Sequence, residues 1–309
     1  MRKSTIAVLS VIVMIIFIDG TDFPEGSTMR NIFNYKRSLL VAGMASAALV
    51  LSACSPSEDS GSPAQEGATS SADAPSKDAG HDVNWGYEGA EGPEEWGELD
   101  PAFKKCGVGE QQSPIDLTSV KKKDLVNLDF NYGVENLHLV NNGHSQQAKV
   151  AEGSTLTAND VDYELQQYHF HTPSEHTVDG KPAEGEIHFV HKDKDGNLAV
   201  VGALITEGET HEEAYRPIID NLIKDTGVER SFDDAPVTLE DLLPKQSGYT
   251  AYDGSLTTPP CSEDVKWFVL DAPVELSSVQ IEKLRKYMGE NARPAQDLNG
   301  REVVEDSTP

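Results

Sequence analysis

The chain of 309 residues is poor in cysteine and in basic residues. It has three cysteines and 25 lysines and arginines, against 52 aspartates and glutamates, which gives a formal net charge of −27. Nucleic acids and anionic lipid headgroups are negatively charged, so a surface this acidic repels both. The composition therefore excludes nucleic acid as a partner, excludes a membrane surface bound through charge, and favours solubility.

The sequence also lacks an apolar run of the roughly 20 residues that a membrane-spanning helix needs. Two shorter runs lie near the N-terminus, at residues 6–18 and at "LVAGMASAALVLSAC". The second run follows Arg30, Lys36 and Arg37 and ends at Cys54, which is the layout of an export signal. Its "LSAC" ending resembles the lipobox of bacterial lipoproteins. We therefore expect export and a lipid anchor at Cys54 on a bacterial membrane, facing the periplasm or the cell surface. An ordinary secretory signal is the alternative.

The rest of the chain divides by composition. Met29 begins a complete export signal, so we interpret residues 1–28 as an over-extended reading frame, with a genuine extra segment as the alternative. Residues 29–54 form the signal peptide. Residues 55–82 contain no large apolar residue and cannot bury enough surface to fold, so they are expected to be a disordered tether. One folded domain is predicted over residues 83–309.

Two cysteines remain once Cys54 is assigned to the lipid: Cys106 and Cys261. In an oxidising compartment a disulfide between them would close a loop of about 150 residues, worth about 4 to 5 kcal/mol in the chain-entropy model. Two free buried thiols are the alternative.

The predicted domain is rich in short alternating or β-branched runs bounded by Gly, Asn, Asp and Pro, which are typical of strands. These runs lie at residues 128–132, 137–150, 154–159, 163–171, 186–193, 198–206 and 265–274. Helical periodicity appears at residues 212–225 and 277–288, the second helix opened by Ser277 or Ser278 as its N-cap. The predicted fold class is therefore predominantly β (α+β), with a few helices outside the sheet.

The stretch "QYHFHTPSEH" contains the first candidate metal ligands. His169 and His171 are two residues apart in a predicted strand, so both side chains point to one face. His188, in "GEIHFVH", would complete a three-histidine zinc site with one open position if its strand is the antiparallel neighbour. Gln167 and Glu186 each lie two residues before a histidine, where they could hold the second ring nitrogen. Hydrogen-bonded surface histidines are the alternative.

Other metal motifs fit less well. "HEEAY" has Tyr215 in the place of the second histidine of a zincin helix. "HFHTPSE" matches the H-x-H-x3-E pattern of cupins, which would make Glu175 a ligand, but Tyr163 and Pro182 occupy the positions of the cupin glycines. We interpret His176 and His191 as histidines outside the site: the first beside a turn glutamate, the second on the core side of its strand.

Seven stretches, two of which contain the three candidate zinc ligands named above, follow one another in a recognisable order: "QQSPIDL", "NNGH", "QYHFH", "SEHTVDG", "EIHFVH", "GSLTTPPCSEDVKWFVL" and "NARPAQ". Together they resemble the α-class carbonic anhydrases, from Asn84 to about Arg301. The resemblance implies a large twisted, mainly antiparallel central sheet of about ten strands with short peripheral helices. It also implies zinc-dependent, reversible hydration of CO₂ to bicarbonate and a proton, the carbonate dehydratase reaction.

The resemblance implies a role for each matching residue. His169, His171 and His188 would bind Zn²⁺, which lowers the pKa of a bound water from 15.7 to about 7. Thr257 would accept a hydrogen bond from the resulting hydroxide and donate one to Glu175. Thr258 would bind the bicarbonate product. An apolar wall for CO₂ would consist of Val190, Val200, Leu256, Val265 and Trp267.

The resemblance assigns the remaining positions as well. His144 would shuttle the proton, with Asn142 and Gln147 ordering water. Gln167, Glu186 and the carbonyl of Asn291 would hold the three zinc ligands, and Cys106 would pair with Cys261. The sequence departs from animal forms at Thr172, Pro173 and Gln111, none of them catalytic. A homodimer is left open. A catalytically silent surface binding module of the same fold is the alternative function.

Overall fold

A computed structural model describes residues 83–118, 120–245 and 248–306. The expectations for residues 1–82, which are the signal peptide, the lipidated Cys54 and the tether, lie outside the described residues. Within the described ranges no helix has both the length and the apolarity needed to cross a membrane.

Strands dominate the described part of the chain. They are β1 (Lys121–Lys123), β2 (Asp129–Asn131), β3 (Val134–Asn141), β4 (Gln146–Lys149), β5 (Thr155–Ala158), β6 (Val161–His171), β7 (Thr177–Val178), β8 (Lys181–Pro182), β9 (Gly185–Asp193), β10 (Leu198–Glu207), β11 (Glu229–Thr238), β12 (Tyr249–Ser255), β13 (Glu263–Leu276) and β14 (Val304–Asp306). The helices are α1 (Trp96–Leu99), α2 (Lys105–Val108), α3 (Glu212–Asp220) and α4 (Ser278–Met288), with 3₁₀ turns at Gly89–Glu91, Pro101–Phe103 and Leu239–Leu242.

Twelve of these strands form one sheet. Ten lie side by side in the order β1-β14-β12-β13-β10-β9-β6-β4-β3-β11, β5 also pairs with β6, and β2 pairs with β5. Among the described strands of this sheet only β1–β14 and β10–β13 run parallel. The predicted predominantly β fold with a large, mainly antiparallel sheet is confirmed. The small β7–β8 hairpin lies in the connection between β6 and β9.

Alternation along the central strands places an apolar cluster on each face of the sheet. In β9, Ile187 and Phe189 join the larger cluster, whereas Val190 joins the smaller one. In β13, Phe268 belongs to the larger cluster and Trp267 to the smaller one. Because successive side chains of a strand point to opposite faces, the two clusters lie on opposite sides of the sheet. His188 shares the face of the smaller cluster.

Helix α3 is shorter than the predicted span of residues 212–225. It buries Tyr215, Ile218 and Ile219 against the larger cluster but ends at Asp220. The backbone of Ile223 is bound on both sides by the side-chain amide of Gln146, with an Ile223 N to Oε1 distance of 3.0 Å and an Nε2 to Ile223 O distance of 2.7 Å. Ile223 is thus held by β4 of the sheet instead of by helical hydrogen bonds.

Helix α4 begins as the sequence predicts. Ser277 is the N-cap and forms a capping box with Gln280, which satisfies free N–H groups of the first turn. Gly289 follows the last turn with a φ of 72°, a backbone conformation that favours glycine.

The predicted disulfide is confirmed. Cys106, in α2, is bonded to Cys261, in the loop between β12 and β13, across 155 residues of sequence. Both cysteines are buried in a small cluster around Trp96. The bond therefore fixes the loop that carries Thr257 and Thr258 to the N-terminal part of the domain.

Candidate metal centre

The three predicted ligands lie on one face of two adjacent strands. His169 in β6 is the direct cross-strand partner of His188 in β9, and His171 lies two residues further along β6. One ring nitrogen of each histidine lies within 4.8 Å of the others. The two strands are antiparallel neighbours, which is the condition that the three-histidine site required.

In each histidine, the ring nitrogen that points away from the other two ligands donates a hydrogen bond to a fixed oxygen acceptor. His169 Nδ1 lies 2.8 Å from Gln167 Oε1, His171 Nδ1 lies 2.7 Å from the carbonyl oxygen of Asn291, and His188 Nε2 lies 2.9 Å from Glu186 Oε1. Since all three acceptors are oxygens, these ring nitrogens carry the protons. Nε2 of His169, Nε2 of His171 and Nδ1 of His188 are therefore left as lone-pair donors that face one another.

This donor set fits a metal ion. His171 Nε2 is fully buried and has no hydrogen-bond partner within the described structure, which is costly for a polar atom unless a ligand occupies the position. Burial lowers the pKa of all three rings, so the histidines are neutral at physiological pH, as metal binding requires. Three neutral imidazoles match a catalytic zinc site that keeps one position open.

Glu175 lies beside this nitrogen group but is not part of it. Its Oε1 accepts a hydrogen bond of 2.9 Å from the backbone N–H of Arg293, and its Oε2 lies 3.5 Å from His171 Nε2. Burial raises the pKa of Glu175 to about 7, against opposing contributions from His188, from the Arg293 N–H and from the nearby Thr257 hydroxyl. A bound cation would favour the ionised carboxylate.

Glu186 accepts four hydrogen bonds. Oε1 lies 2.9 Å from His188 Nε2 and 2.7 Å from His176 Nδ1, while Oε2 accepts the backbone N–H groups of Glu175 at 2.9 Å and His176 at 2.8 Å. Burial alone would raise the pKa of Glu186, but His176 and His188 hold it well below its usual range. The carboxylate is thus ionised and joins the third histidine to the Glu175 segment.

Hydrogen bonds hold the Thr257 loop in place in addition to the disulfide. Thr257 is buried, and the carbonyl of Thr258 accepts a 2.9 Å hydrogen bond from the N–H of Cys261. Trp267 Nε1 donates to the carbonyl of Ser255, 2.9 Å away, which fixes the start of the loop on β13.

The five residues predicted as an apolar wall come together. The side chains belong to the smaller apolar cluster, in which four are buried and Leu256 is half-buried: Val190, Val200, Leu256, Val265 and Trp267. Trp267 packs its ring edge-on against His188, with 4.9 Å between centroids. The cluster therefore adjoins His188.

His144 lies in the turn between β3 and β4. Its ring stacks on Trp85, with 3.6 Å between centroids and 7° between planes, and burial lowers its pKa. Asn142 Oδ1 accepts the backbone N–H groups of His144 and Ser145, and Asn142 Nδ2 lies 3.4 Å from Gln147 Oε1.

The other histidines interpreted as lying outside the site do lie outside the nitrogen group of His169, His171 and His188. His191 is buried on the core side, 2.5 Å from the Tyr132 hydroxyl. His176 is fully buried and lies 2.7 Å from the Tyr252 hydroxyl. Tyr215, in the "HEEAY" stretch, is a core residue.

Three contacts of the site were not predicted from the sequence: the Arg293 N–H on Glu175, the bond of His176 to Glu186, and the stack of Trp85 on His144. Arg293 and Trp85 are far in sequence from their partners, so no local pattern indicated these contacts. The backbone N–H groups of the adjacent residues Glu175 and His176 both needed an acceptor, and both donate to Glu186. This need was the one signal that a carboxylate lies beside this segment.

Comparison with known proteins agrees with this geometry. The family described as eukaryotic-type carbonic anhydrase matches residues 91–307. A carbonic anhydrase of Nostoc sp. is 43% identical over 232 residues, which cover 72% of this chain and 86% of the relative. A carbonic anhydrase of Pectobacterium atrosepticum is 39% identical over 235 residues, which cover 74% of this chain and 93% of the relative. The solved α-carbonic anhydrase of Thermovibrio ammonificans, a complex with the inhibitor sulfanilamide, is 41% identical with a TM-score of 0.69, covering 72% of this chain and 100% of its own. The chain therefore belongs to the eukaryotic-type, or α-class, carbonic anhydrase family.

Proposed function

We propose that this carbonic anhydrase hydrates CO₂ at a zinc ion held by His169 Nε2, His171 Nε2 and His188 Nδ1. The observation that carries the proposal is that one nitrogen of each of three neutral imidazole rings points to a common position. The second nitrogen of each ring is hydrogen-bonded to an oxygen acceptor. Bound there, zinc would lower the pKa of a coordinated water to about 7 and so supply hydroxide at neutral pH. Because no ligand histidine is missing, nothing supports the silent binding module.

Thr257 and Glu175 would orient the nucleophile. With a cation bound, Glu175 would be ionised and could only accept hydrogen bonds, so the Thr257 hydroxyl would donate to Glu175 and keep its oxygen as an acceptor. That oxygen could accept a hydrogen bond from the nucleophile and so orient it towards the carbon of CO₂. The Arg293 N–H holds the other carboxylate oxygen, which prevents Glu175 from rotating.

The apolar cluster beside His188 would receive CO₂, which carries no net charge and gains little from polar contacts. Val190, Val200, Leu256, Val265 and Trp267 offer such a surface next to the ligands. Thr258, one residue after Thr257, would hydrogen-bond the bicarbonate product before its release.

His144 would carry the proton to solvent. Its ring is half-buried at the turn beside the ligand strands, and burial lowers its pKa, so the neutral imidazole can accept a proton and release it readily to solvent. Asn142 and Gln147, which approach each other at 3.4 Å, would help to order the intervening water.

We also propose that the domain is exported and anchored to a bacterial membrane through a lipid on Cys54. The "LSAC" sequence after an apolar run supports the anchor, and the Cys106–Cys261 disulfide supports an oxidising compartment. Residues 55–82 would then serve as the tether between the lipid and the domain.

Metal analysis together with stopped-flow CO₂ hydration tests the central proposal. The purified protein should contain one zinc ion per chain, lose hydration activity when zinc is removed by a chelator, and regain it when zinc is added back. His138→Ala, a half-exposed histidine paired with Glu229, is a matched control and should keep both zinc and activity. Full activity in metal-free protein would contradict the proposal.

A further inference from the structure

The side-chain amide of Asn291 is buried and fully engaged. Its Oδ1 accepts the backbone N–H of Thr172 at 2.7 Å. Its Nδ2 donates to two carbonyl oxygens, those of Phe170 and His144, each at 2.9 Å. Asn291 is 1% exposed, so water cannot replace these bonds without a rearrangement. The two N–H groups of the amide thus donate to two different segments of the chain, one at Phe170 and one at His144.

Two of these contacts flank a proposed zinc ligand. The Phe170 carbonyl and the Thr172 N–H belong to the peptide groups on either side of His171. The backbone of Asn291 adds two more bonds, from its N–H to the Thr172 carbonyl at 3.1 Å and from the His171 ring to its own carbonyl at 2.7 Å. The end of β6 is therefore clamped to Asn291 at four points.

The third side-chain contact reaches the turn that carries His144. Among the described residues, Ser145 also ties this turn to β6, because its Oγ lies 3.2 Å from the Phe170 carbonyl and accepts the Phe170 N–H at 3.4 Å. The Asn142 side chain bonds within the turn and to Gln147, in the strand that pairs with β6. The Asn291 amide is thus a direct link between the backbone of His144 and the peptide next to His171.

We propose that the Asn291 side chain is a positioning residue for proton transfer, because it fixes the His144 turn at a set distance from the ligand strand. The inference rests on the proposed shuttle role of His144. It concerns the side chain of Asn291 and is separate from the carbonyl that holds the His171 ring. Proton transfer depends steeply on geometry, and a displacement of about 1 Å can reduce a rate by up to two orders of magnitude.

Asn291→Ala tests this positioning. In dilute buffer we expect kcat to fall about 3- to 10-fold, a fraction of what loss of the proton-transfer group itself would cause. We expect kcat/KM to fall by a clearly smaller factor, because the Asn291 carbonyl that holds the His171 ring is kept. Concentrated imidazole buffer should restore kcat. Added to His144→Ala, the substitution should cause no further fall in kcat, because both changes act on one step.

Gln146→Ala is the matched control. Gln146 is also a buried amide with two hydrogen bonds, both to the backbone of Ile223. Its loss should lower stability without separating kcat from kcat/KM. If Asn291→Ala does not fold, Asn291→Ser takes its place, since its hydroxyl can still donate to one carbonyl. Failure of both variants to fold would overturn the proposal and leave Asn291 a residue of stability alone.

A second readout is independent of zinc and of activity. The stack on Trp85 should shift the His144 ring protons upfield in the NMR spectrum of the metal-free protein. Asn291→Ala should reduce this shift and Gln146→Ala should preserve it, with His144→Ala assigning the signal. An unchanged shift in Asn291→Ala would overturn the proposal.

The kinetic outcomes separate the two proposals. If His144→Ala has normal kcat in dilute buffer, the shuttle role itself fails. If His144→Ala is slow and rescued by imidazole, but Asn291→Ala lowers kcat and kcat/KM equally or adds to the His144→Ala loss, only the positioning role of Asn291 fails.

Discussion

Glu186→Gln isolates the contribution of one charge to the metal site. The substitution keeps the size of the side chain but replaces one acceptor oxygen by an NH₂ group. Glu186 accepts hydrogen bonds at both oxygens, with two ring N–H groups at Oε1 and two backbone N–H groups at Oε2. The single amide oxygen of glutamine can accept from only one of these pairs. In either orientation of the amide, its NH₂ group therefore faces the two N–H groups of the other pair, and none of these groups can accept a hydrogen bond.

The cost depends on which pair is lost. If the NH₂ group faces the backbone N–H groups of Glu175 and His176, two buried donors lose their acceptor, at about 1 to 3 kcal/mol each. If it faces the rings, His188 Nε2 must become an acceptor and its proton moves to Nδ1, the nitrogen that points at the other two ligands. We therefore expect a loss of about 2 to 6 kcal/mol in stability, or a 10- to 100-fold loss in zinc affinity, or part of both.

Two measurements check this expectation: denaturant unfolding of the metal-free protein and chelator competition for zinc. Glu164→Gln is the matched control, because Glu164 Oε1 accepts only one exposed hydrogen bond, from Gly153 N at 2.8 Å. The control should change stability by less than about 0.5 kcal/mol and should leave zinc affinity unchanged. A Glu186→Gln protein with wild-type stability and wild-type zinc affinity would refute the reasoning.

Four further predictions concern other parts of the molecule. His188→Ala should remove most bound zinc and nearly all hydration activity, and a variant that keeps stoichiometric zinc would point to Glu175 as the third ligand. Reduction of the Cys106–Cys261 disulfide, which spans 155 residues, should lower the free energy of unfolding by about 5 kcal/mol in the chain-entropy model. Denaturation with and without reductant measures this loss, and a loss under about 1 kcal/mol would contradict the estimate. His144→Ala should lower kcat in dilute buffer by about 10- to 100-fold with kcat/KM nearly unchanged and with rescue by imidazole, whereas normal kcat would make it a turn residue. Cys54→Ser should release the exported protein into the soluble fraction, and equal partitioning of both forms would rule out the lipid anchor.

The ligand strands were predictable because their signal is local. The two-residue period put His169 and His171 on one face, and the same period in "GEIHFVH" put His188 beside Glu186. The strand pairing then followed from one assumption, that β6 and β9 are neighbours, which the register confirms.

The missed elements carry weaker or conflicting patterns. Strand β1 is the run Lys121–Lys123, which reads as a solvated loop and becomes a strand only by pairing with β14. Strand β11 contains two aspartates and Pro236, residues that are uncommon in strands, and its register with β3 shifts between Phe232 and Pro236. Such elements depend on their partners in the sheet, so sequence periodicity does not reveal them.

The direct pairing of His169 with His188 sets which changes in chain length the protein can tolerate. Removing one residue from β9 would exchange His188 for a neighbour on the opposite face and destroy the ligand set, because side chains alternate along a strand. Residues 172–184, which connect β6 to β9 through the β7–β8 hairpin, have no part in that pairing. Insertions and deletions among related proteins should therefore be found in the hairpin end of this connection, away from Glu175 and His176, and not in the two strands it joins.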